Sequence, residues 1–181
     1  MAITPEQCTQ VITLFQHDDF TFTQQGIELL ETLTETADEL QMFWTAYTGQ
    51  PIPDTPNIGE MVDSIPQTQD MLPEAEEARL THQTLWALGH LAKWNTQLVE
   101  HITSIDLSFR TVTRIPKNIK NLRNVESIDL SFTTIRRDLE QLLDLPKLTM
   151  LNLDSNEYKS IPKAVYQLSQ LKKLSLSGNE I

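Results

Sequence analysis

Residues 148–170 read LTMLNLDSNEYKSIPKAVYQLSQ, and the aliphatic spacing in this stretch decides the fold of its surroundings. Leu148 stands 23 residues after Val125 and 23 before Leu171, and Val125 stands 23 after Ile102. Three positions further on lie Ile105, Ile128, Leu151 and Leu174, and two beyond those lie Leu107, Leu130, Leu153 and Leu176. The pattern continues through Val112, Ile135, Tyr158 and Ile181, then Ile119, Leu142 and Val165, then Leu122, Leu145 and Leu168. A unit this short cannot bury its aliphatic side chains alone, so a fixed period of this kind means units that stack and share one continuous core.

These residues resemble the leucine-rich-repeat family in its 23-residue form, L-x-x-L-x-L-x-x-N-x-L-x-x-L-P-x-x-I-x-x-L-x-x. Residues 148–170 fit it with Asn156 and the Ile161-Pro162 pair in place. The resemblance covers residues 102–181 and implies an α/β fold: a leucine-rich-repeat solenoid of about three and a half repeats, with a parallel sheet on its concave side. The Ile115-Pro116 and Ile161-Pro162 pairs suit an extended return, because proline fixes its own φ and biases its predecessor away from helix.

Two features depart from the pattern. Arg110 and Thr133 stand where Asn156 and Asn179 stand in later copies, so the first two turns must satisfy their backbone through Thr133 itself or through water. In the second copy Asp138-Leu139 replaces Ile-Pro, and Ile135, Leu139, Leu142 and Leu143 fall near helical spacing, which predicts a short helix with Asp138 as N-cap. The fourth copy stops at Ile181 after its strand. That uncapped edge reads either as part of a longer protein or as a homodimer contact, in which the Leu171 to Ser177 strands of two chains cover each other.

The first hundred residues show helical signals and no repeat. Thr4-Pro5-Glu6-Gln7 is a helix start with capping-box spacing, and Val11, Ile12, Leu14 and Phe15 supply its apolar stripe. Further helices are predicted over Thr23 to Leu33 and over Ala37 to Thr48, the latter ending at Gly49. We divide the chain into an acidic helical region (1–49), a Pro-rich linker or loop (50–73) with a brief helix starting at Asn57, a capping helix (74–101) and the repeats (102–181). The long helix, from Glu74 to about Gln97, carries Leu85, Trp86, Leu88, Leu91, Ala92 and Trp94 and runs straight into the repeats, whose leading layer needs a cover. The stretch TQQGIELL (23–30) resembles helices ahead of such repeats in uncharacterised bacterial leucine-rich-repeat proteins, and no function attaches to it.

The net charge of −11 divides sharply. Residues 1–100 hold sixteen acidic side chains against Arg79 and Lys93, while residues 101–181 hold nine acidic and twelve basic ones. The acidic half repels phosphate. Arg110, Arg114, Lys117, Lys120 and Arg123 fall on the return side without interleaved aromatics, which reads as a solvated face or as pairing with the acidic half, and nucleic acid is not an expected partner. No apolar run reaches the ~20 residues that cross a bilayer, so no membrane partner is expected. With one cysteine, Cys8, and an opening MAITPEQ that lacks a basic and an apolar region, the chain reads as cytoplasmic.

Candidate chemistry is sparse. His17-Asp18-Asp19 has the residue types of a metal or acid-base cluster but reads better as a polar turn, since a local tripeptide brings no convergent partner. Cys8 reads as a small hydrophobe on a helix rather than a nucleophile. With five glycines in the chain and no phosphate-loop motif, no cofactor, no metal and no enzymatic activity are expected.

A protein partner is expected instead, held on the concave face. Strand alternation places Ser104, Ser127, Met150 and Lys173 there, with Asp106, Asp129, Asn152 and Ser175 beside them. Ser108, Ser131 and Asp154 follow, and Phe109 and Phe132 mark one rim as aromatic anchors or as filler of the strand end. This is the binding face of a scaffold or adaptor. The alternative is the partner-recognition part of a larger protein, such as a bacterial effector or an enzyme whose acting domain is absent. On the first reading, Asp106→Lys with Asp129→Lys should abolish capture without lowering stability. The short sheet offers less than the ~800 Å² per partner of a stable complex unless the helical region contributes.

Overall fold

The computed structural model of the chain describes residues 3–17, 19–66 and 73–181. Among the described residues five α-helices come first: α1 (Pro5–Phe15), α2 (Phe20–Leu33), α3 (Ala37–Thr48), α4 (Ile58–Ser64) and α5 (Pro73–Trp94). The capping signals operate as the sequence predicts. The Thr4 hydroxyl accepts from the Gln7 amide at 3.3 Å while Gln7 Oε1 accepts from the Thr4 amide at 2.8 Å. Thr36 and Glu39 make a similar reciprocal pair on α3, which the sequence reading did not single out. Gly49 closes α3 at φ 78°. Asn57 starts α4 by accepting from the Gly59 and Glu60 amides.

Two helix boundaries differ from expectation. The second helix begins at Phe20, three residues early, because the Asp19 carboxylate accepts the Thr21 amide at 2.8 Å and caps it. The long helix ends at Trp94 instead of Gln97, since Asn95 leaves the helical region and Thr96–Leu98 form a 3-10 turn.

β1 (Ser104–Asp106), β2 (Ser127–Asp129), β3 (Met150–Asn152) and β4 (Lys173–Ser175) form a parallel sheet in chain order. Its register is the sequence period: Ser104 pairs Ser127, Ser127 pairs Met150, and Met150 pairs Lys173. The chain returns between strands through 3-10 helices at Lys117–Asn121, Leu139–Asp144 and Lys163–Gln167. The stretches that carry the Ile-Pro pairs, 111–116 and 161–162, are non-helical, and each gives way to a 3-10 helix. Pro116 is extended and Pro162 sits at φ −57°, ψ 135°, and the five residues after each wind into a 3-10 helix that aims Ile119 and Val165 at the core. The second copy has its short helix too, but Asp138 does not cap it. Asp138 sits at φ 64° with no side-chain bond to the helix, and its backbone carbonyl accepts the Gln141 amide instead.

One apolar cluster runs from Ile3 and Val11 through α5 to Leu168. α5 is buried nearly all round, because it packs on α2, α3 and α4 as well as on the first return helix. Its polar side chains are spent on ties. Arg79, 2% exposed, donates to Glu76 at 2.6 and 3.2 Å, to the Phe15 carbonyl at 2.8 Å and to the Tyr47 hydroxyl at 2.7 Å, so it joins α5 to the end of α1 and to α3. On the opposite side Asn118 and Asn121 donate to the Trp86 and Gly89 carbonyls at 2.7 and 2.9 Å. The backbones come so close there that a Cβ on Gly89 would lie 2.5 Å from the Asn118 carbonyl oxygen.

Gly89→Ala should therefore destabilise the protein by about 1–3 kcal/mol, against the gain of about 1 kcal/mol that alanine brings to an open helix site, as a lower urea midpoint would show. Acid should destabilise it through a different group. His82 is buried, and burial holds its pKa at about 4, opposed by a hydrogen bond to the Arg114 backbone and aided by the Arg114 charge. Because the unfolded chain protonates near the ordinary histidine value and the folded chain does not, stability falls as pH drops from ~6.5 to ~4. His82 accounts for about 2 kcal/mol between pH 7 and pH 5. His90, also held at about 4 by burial, acts in the same window. The carboxylates of Asp19, Glu39 and Asp129, whose pKa values are lowered, withdraw their share only at more acid pH. Urea unfolding of His82→Leu at the two pH values should show roughly half of the parent's pH dependence.

Candidate functional site

The exact register brings the predicted residues onto one sheet face and its rim. A shallow trough of about 670 Å³ crosses all four strands, lined by Ser104, Asp129, Met150, Asn152, Lys173 and Ser175 among others. Its polar side chains are bonded to one another in a ladder. Asp106 Oδ1 accepts from the Ser108 amide and hydroxyl at 2.9 and 2.7 Å, and Asp129 Oδ1 accepts from the Ser131 amide and hydroxyl at 2.8 and 2.6 Å. Asn152 Oδ1 accepts the Asp154 amide at 3.0 Å, while Asp154 Oδ1 accepts from the Ser175 hydroxyl and the Ser177 amide, both at 2.6 Å. Asn152 Nδ2 and Asp129 Oδ2 link neighbouring rungs at 3.0 Å. Burial alone would raise the Asp129 carboxyl, but the bonds from Ser131 and Asn152 hold it below the usual carboxylate value.

This ladder changes the reading of two predicted site residues and removes a third. Asp106 and Asp129 close the turn that follows each strand, so replacing both with lysine breaks the fold's own bonds, contrary to the expectation of unchanged stability. Ser131 is buried and bonded to Asp129, out of a partner's reach. What remains available on the face is Met150, 39% exposed, with the exposed Ser104 and Lys173.

The rim carries the aromatic pair. Phe109 and Phe132 stack with centroids 4.4 Å apart and planes 10° from parallel, and they are 72% and 53% exposed. Both have left-handed backbones, φ 60° and 53°, as do the equivalent Ser155 and Gly178. A left-handed residue other than glycine costs about 1–2 kcal/mol, and Gly178 shows that this turn does not need a side chain. Filling of the strand end therefore does not explain the phenylalanines, which stand out in solvent.

The turn beneath is held by the asparagine row and its substitutes. Asn156 Nδ2 donates to the Leu130 carbonyl at 2.7 Å and Asn179 Nδ2 to the Leu153 carbonyl at 2.9 Å. In the second copy the Thr133 hydroxyl does not reach the preceding copy and bonds within its own turn, to the Leu130 carbonyl at 2.9 Å, and to Asn156 Oδ1 at 2.8 Å. In the first copy α5 supplies the missing acceptor, since Glu77 accepts from both the amide and the hydroxyl of Thr111, at 3.1 and 3.0 Å. Nothing in the repeat pattern signals Glu77.

The remaining candidates have structural places. The His17 ring stacks on Phe22 at 3.8 Å and accepts the Asp19 amide, while Asp18 lies outside the described residues. Cys8 packs on the core, and burial raises its thiol pKa, opposite to what a nucleophile needs. Of the basic cluster, Arg114 lies over the Phe20 ring at 5.1 Å and Arg110 approaches Glu77 at 3.9 Å, so part of it does meet the acidic half.

Residues 138–181 match the family model for the leucine-rich repeat, and this stretch is leucine-rich repeat. The same register extends unbroken to Ser104 in the structure. No curated protein matches the chain.

Support and display should separate on mutation. Asn156→Ala removes one of the two donors to the Leu130 carbonyl and deprives Thr133 of its Oδ1 partner, and should cost about 1–3 kcal/mol. Phe109→Gly, which relieves the backbone and gives up little burial, should leave the urea midpoint unchanged or raised.

Proposed function

We propose that the chain is a protein–protein interaction module, a scaffold or adaptor, built as a leucine-rich-repeat solenoid of about three and a half repeats that α5 caps at its N-terminal end. The observation that carries this reading is the Phe109–Phe132 stack, two aromatic rings held in solvent on strained backbones at the rim of a trough. Exposure and strain each lower stability, and neither is needed by the turn, so a partner that covers the rings is the use that accounts for them. Aromatic side chains dominate interface energetics where they enter a desolvated pocket, and a stacked pair presents one rigid, pre-ordered surface at small entropic cost.

The trough adds specificity more than affinity. Its polar groups are already bonded to one another and are held in place before any partner arrives. Met150 offers an apolar contact at its centre and Lys173 a positive charge at its far end. A partner surface with an aromatic-accepting pocket and an acidic group opposite Lys173 fits this arrangement.

Two variants test the reading by quantitative affinity capture from lysate with mass-spectrometric readout. Phe109→Gly with Phe132→Gly, and separately Met150→Glu, should each reduce the specifically captured partner by about tenfold or more while the urea midpoint holds. An unchanged set of captured proteins at unchanged stability sinks the concave-face assignment.

A further inference from the structure

β1 is an edge strand with a built groove beside it. In a parallel ladder one residue turns both its backbone groups to one neighbour and the next residue turns both to the other. On the β2 side the Thr103 carbonyl accepts the Glu126 and Ser127 amides at 2.8 and 3.3 Å, the Leu107 amide donates to Asp129, and the Phe109 amide donates to Ser131. The amides and carbonyls of Ser104 and Asp106 therefore point away from β2. They face a groove of about 830 Å³ whose far wall is the segment from Thr55 to Glu60. That wall is anchored, because His101 Nε2 lies 3.2 Å from the Pro56 carbonyl and Asn57 caps α4, and the buried Ile58 and Ile102 line the groove from either side.

The molecule itself displays what such an edge accepts. Residues 104–109 and 127–132 are both SIDLSF. The side of β2 that faces β1 is thus the same chemical edge as the free side of β1, and it is covered by a parallel strand of sequence SIDLSF. Across that pair the Ser127 hydroxyl donates to the Ser104 hydroxyl at 2.8 Å and the two phenylalanines stack at 4.4 Å. On the open side, Ser104 is exposed and Phe109 is 72% exposed.

We propose that this groove takes an extended segment of a partner protein, added parallel to β1 as a further strand. The segment would place a serine or threonine beside Ser104 and, five positions on, an aromatic ring against the open face of Phe109. Unpaired strand groups at a fixed repeat are matched by another extended backbone and by little else, which is the physical basis of strand addition. The groove shares Phe109 with the concave-face reading but does not involve Met150 or Lys173, so the two can fail separately.

The probe is a synthetic peptide of sequence NVESIDLSFT, the chain's own residues 124–133, titrated into the full chain with binding followed by fluorescence anisotropy and by amide exchange in NMR. Saturable binding should slow exchange of the Ser104 and Asp106 amides about tenfold or more. N-methylating the peptide amides that correspond to Ile128 and Leu130, which would face β1, should weaken binding about tenfold. Ser104→Pro should do the same, since it removes an outward amide and spares the Thr103 and Ile105 bonds to β2. Met150→Glu should leave peptide binding intact. The proposal is overturned by absent saturable binding, by equal binding of the N-methylated peptide, or by unaltered exchange at Ser104 and Asp106. It is overturned equally if Met150→Glu abolishes binding, which puts the peptide in the trough. A chain that self-associates through this edge, and is made monomeric by Ser104→Pro, has a second copy as occupant and overturns it too.

Discussion

Everything else in the molecule depends on the approach of α5 to the first return helix. A parallel sheet of three-residue strands buries its apolar side chains only when each layer has a neighbour on both sides, and the first layer has none of its own kind. α5 fills that place with a backbone brought close enough that Gly89 has no room for a side chain, while Asn118 and Asn121 donate to its carbonyls. Glu77 supplies the acceptor that the first turn lacks. The same helix has to be held from behind, which explains why a buried guanidinium is tolerated. Arg79 costs desolvation, but its bonds to Glu76, Tyr47 and the Phe15 carbonyl lock α1 and α3 onto α5, and removing one partner would leave a charge stranded in the core.

The concave face follows from that rigidity. With strands held at a 23-residue register, carboxylates and hydroxyls recur at fixed heights and bond to each other. A face that looks acidic and adaptable in one dimension is an internally satisfied surface in three. The groups the ladder does not use are the aromatic stack, Met150, Lys173 and the outward backbone of β1. The twice-written SIDLSF makes two of these features from one sequence, since an in-register pair of identical strands stacks its phenylalanines and leaves the first copy's outer edge and outer ring face open.

The strands, their order and their faces were legible because a residue-exact period translates directly into register. The cap of α1 and the Asn57 start were legible because they depend on residues three positions apart, and the end of α3 because Gly49 marks it. Three features were not. The Asp106 and Asp129 side chains bond two residues onward to a turn whose conformation is left-handed at Phe109 and Phe132, and phenylalanine does not advertise such a backbone. Asp138 has the spacing of a helix cap but adopts φ 64°, where its carboxylate cannot reach the helix amides. The Glu77 and Arg79 ties join residues separated by more than thirty positions, and no local pattern encodes them.

The division of charge takes on a meaning in this architecture different from that of two independent domains. The acidic helices and the basic first repeat share one apolar cluster, and they face each other across a cleft walled by Glu28 and Glu31 of α2 and by Arg114, Lys117 and Lys120 of the return. Attraction across such a gap is weak per pair, but it acts in one direction and favours the docked arrangement that α5 requires. Glu28 and Glu31 face Arg114, Lys117 and Lys120 across that cleft, while the exposed Lys172 and Lys173 line the concave trough. The concave side presents an ordered polar floor with an aromatic edge.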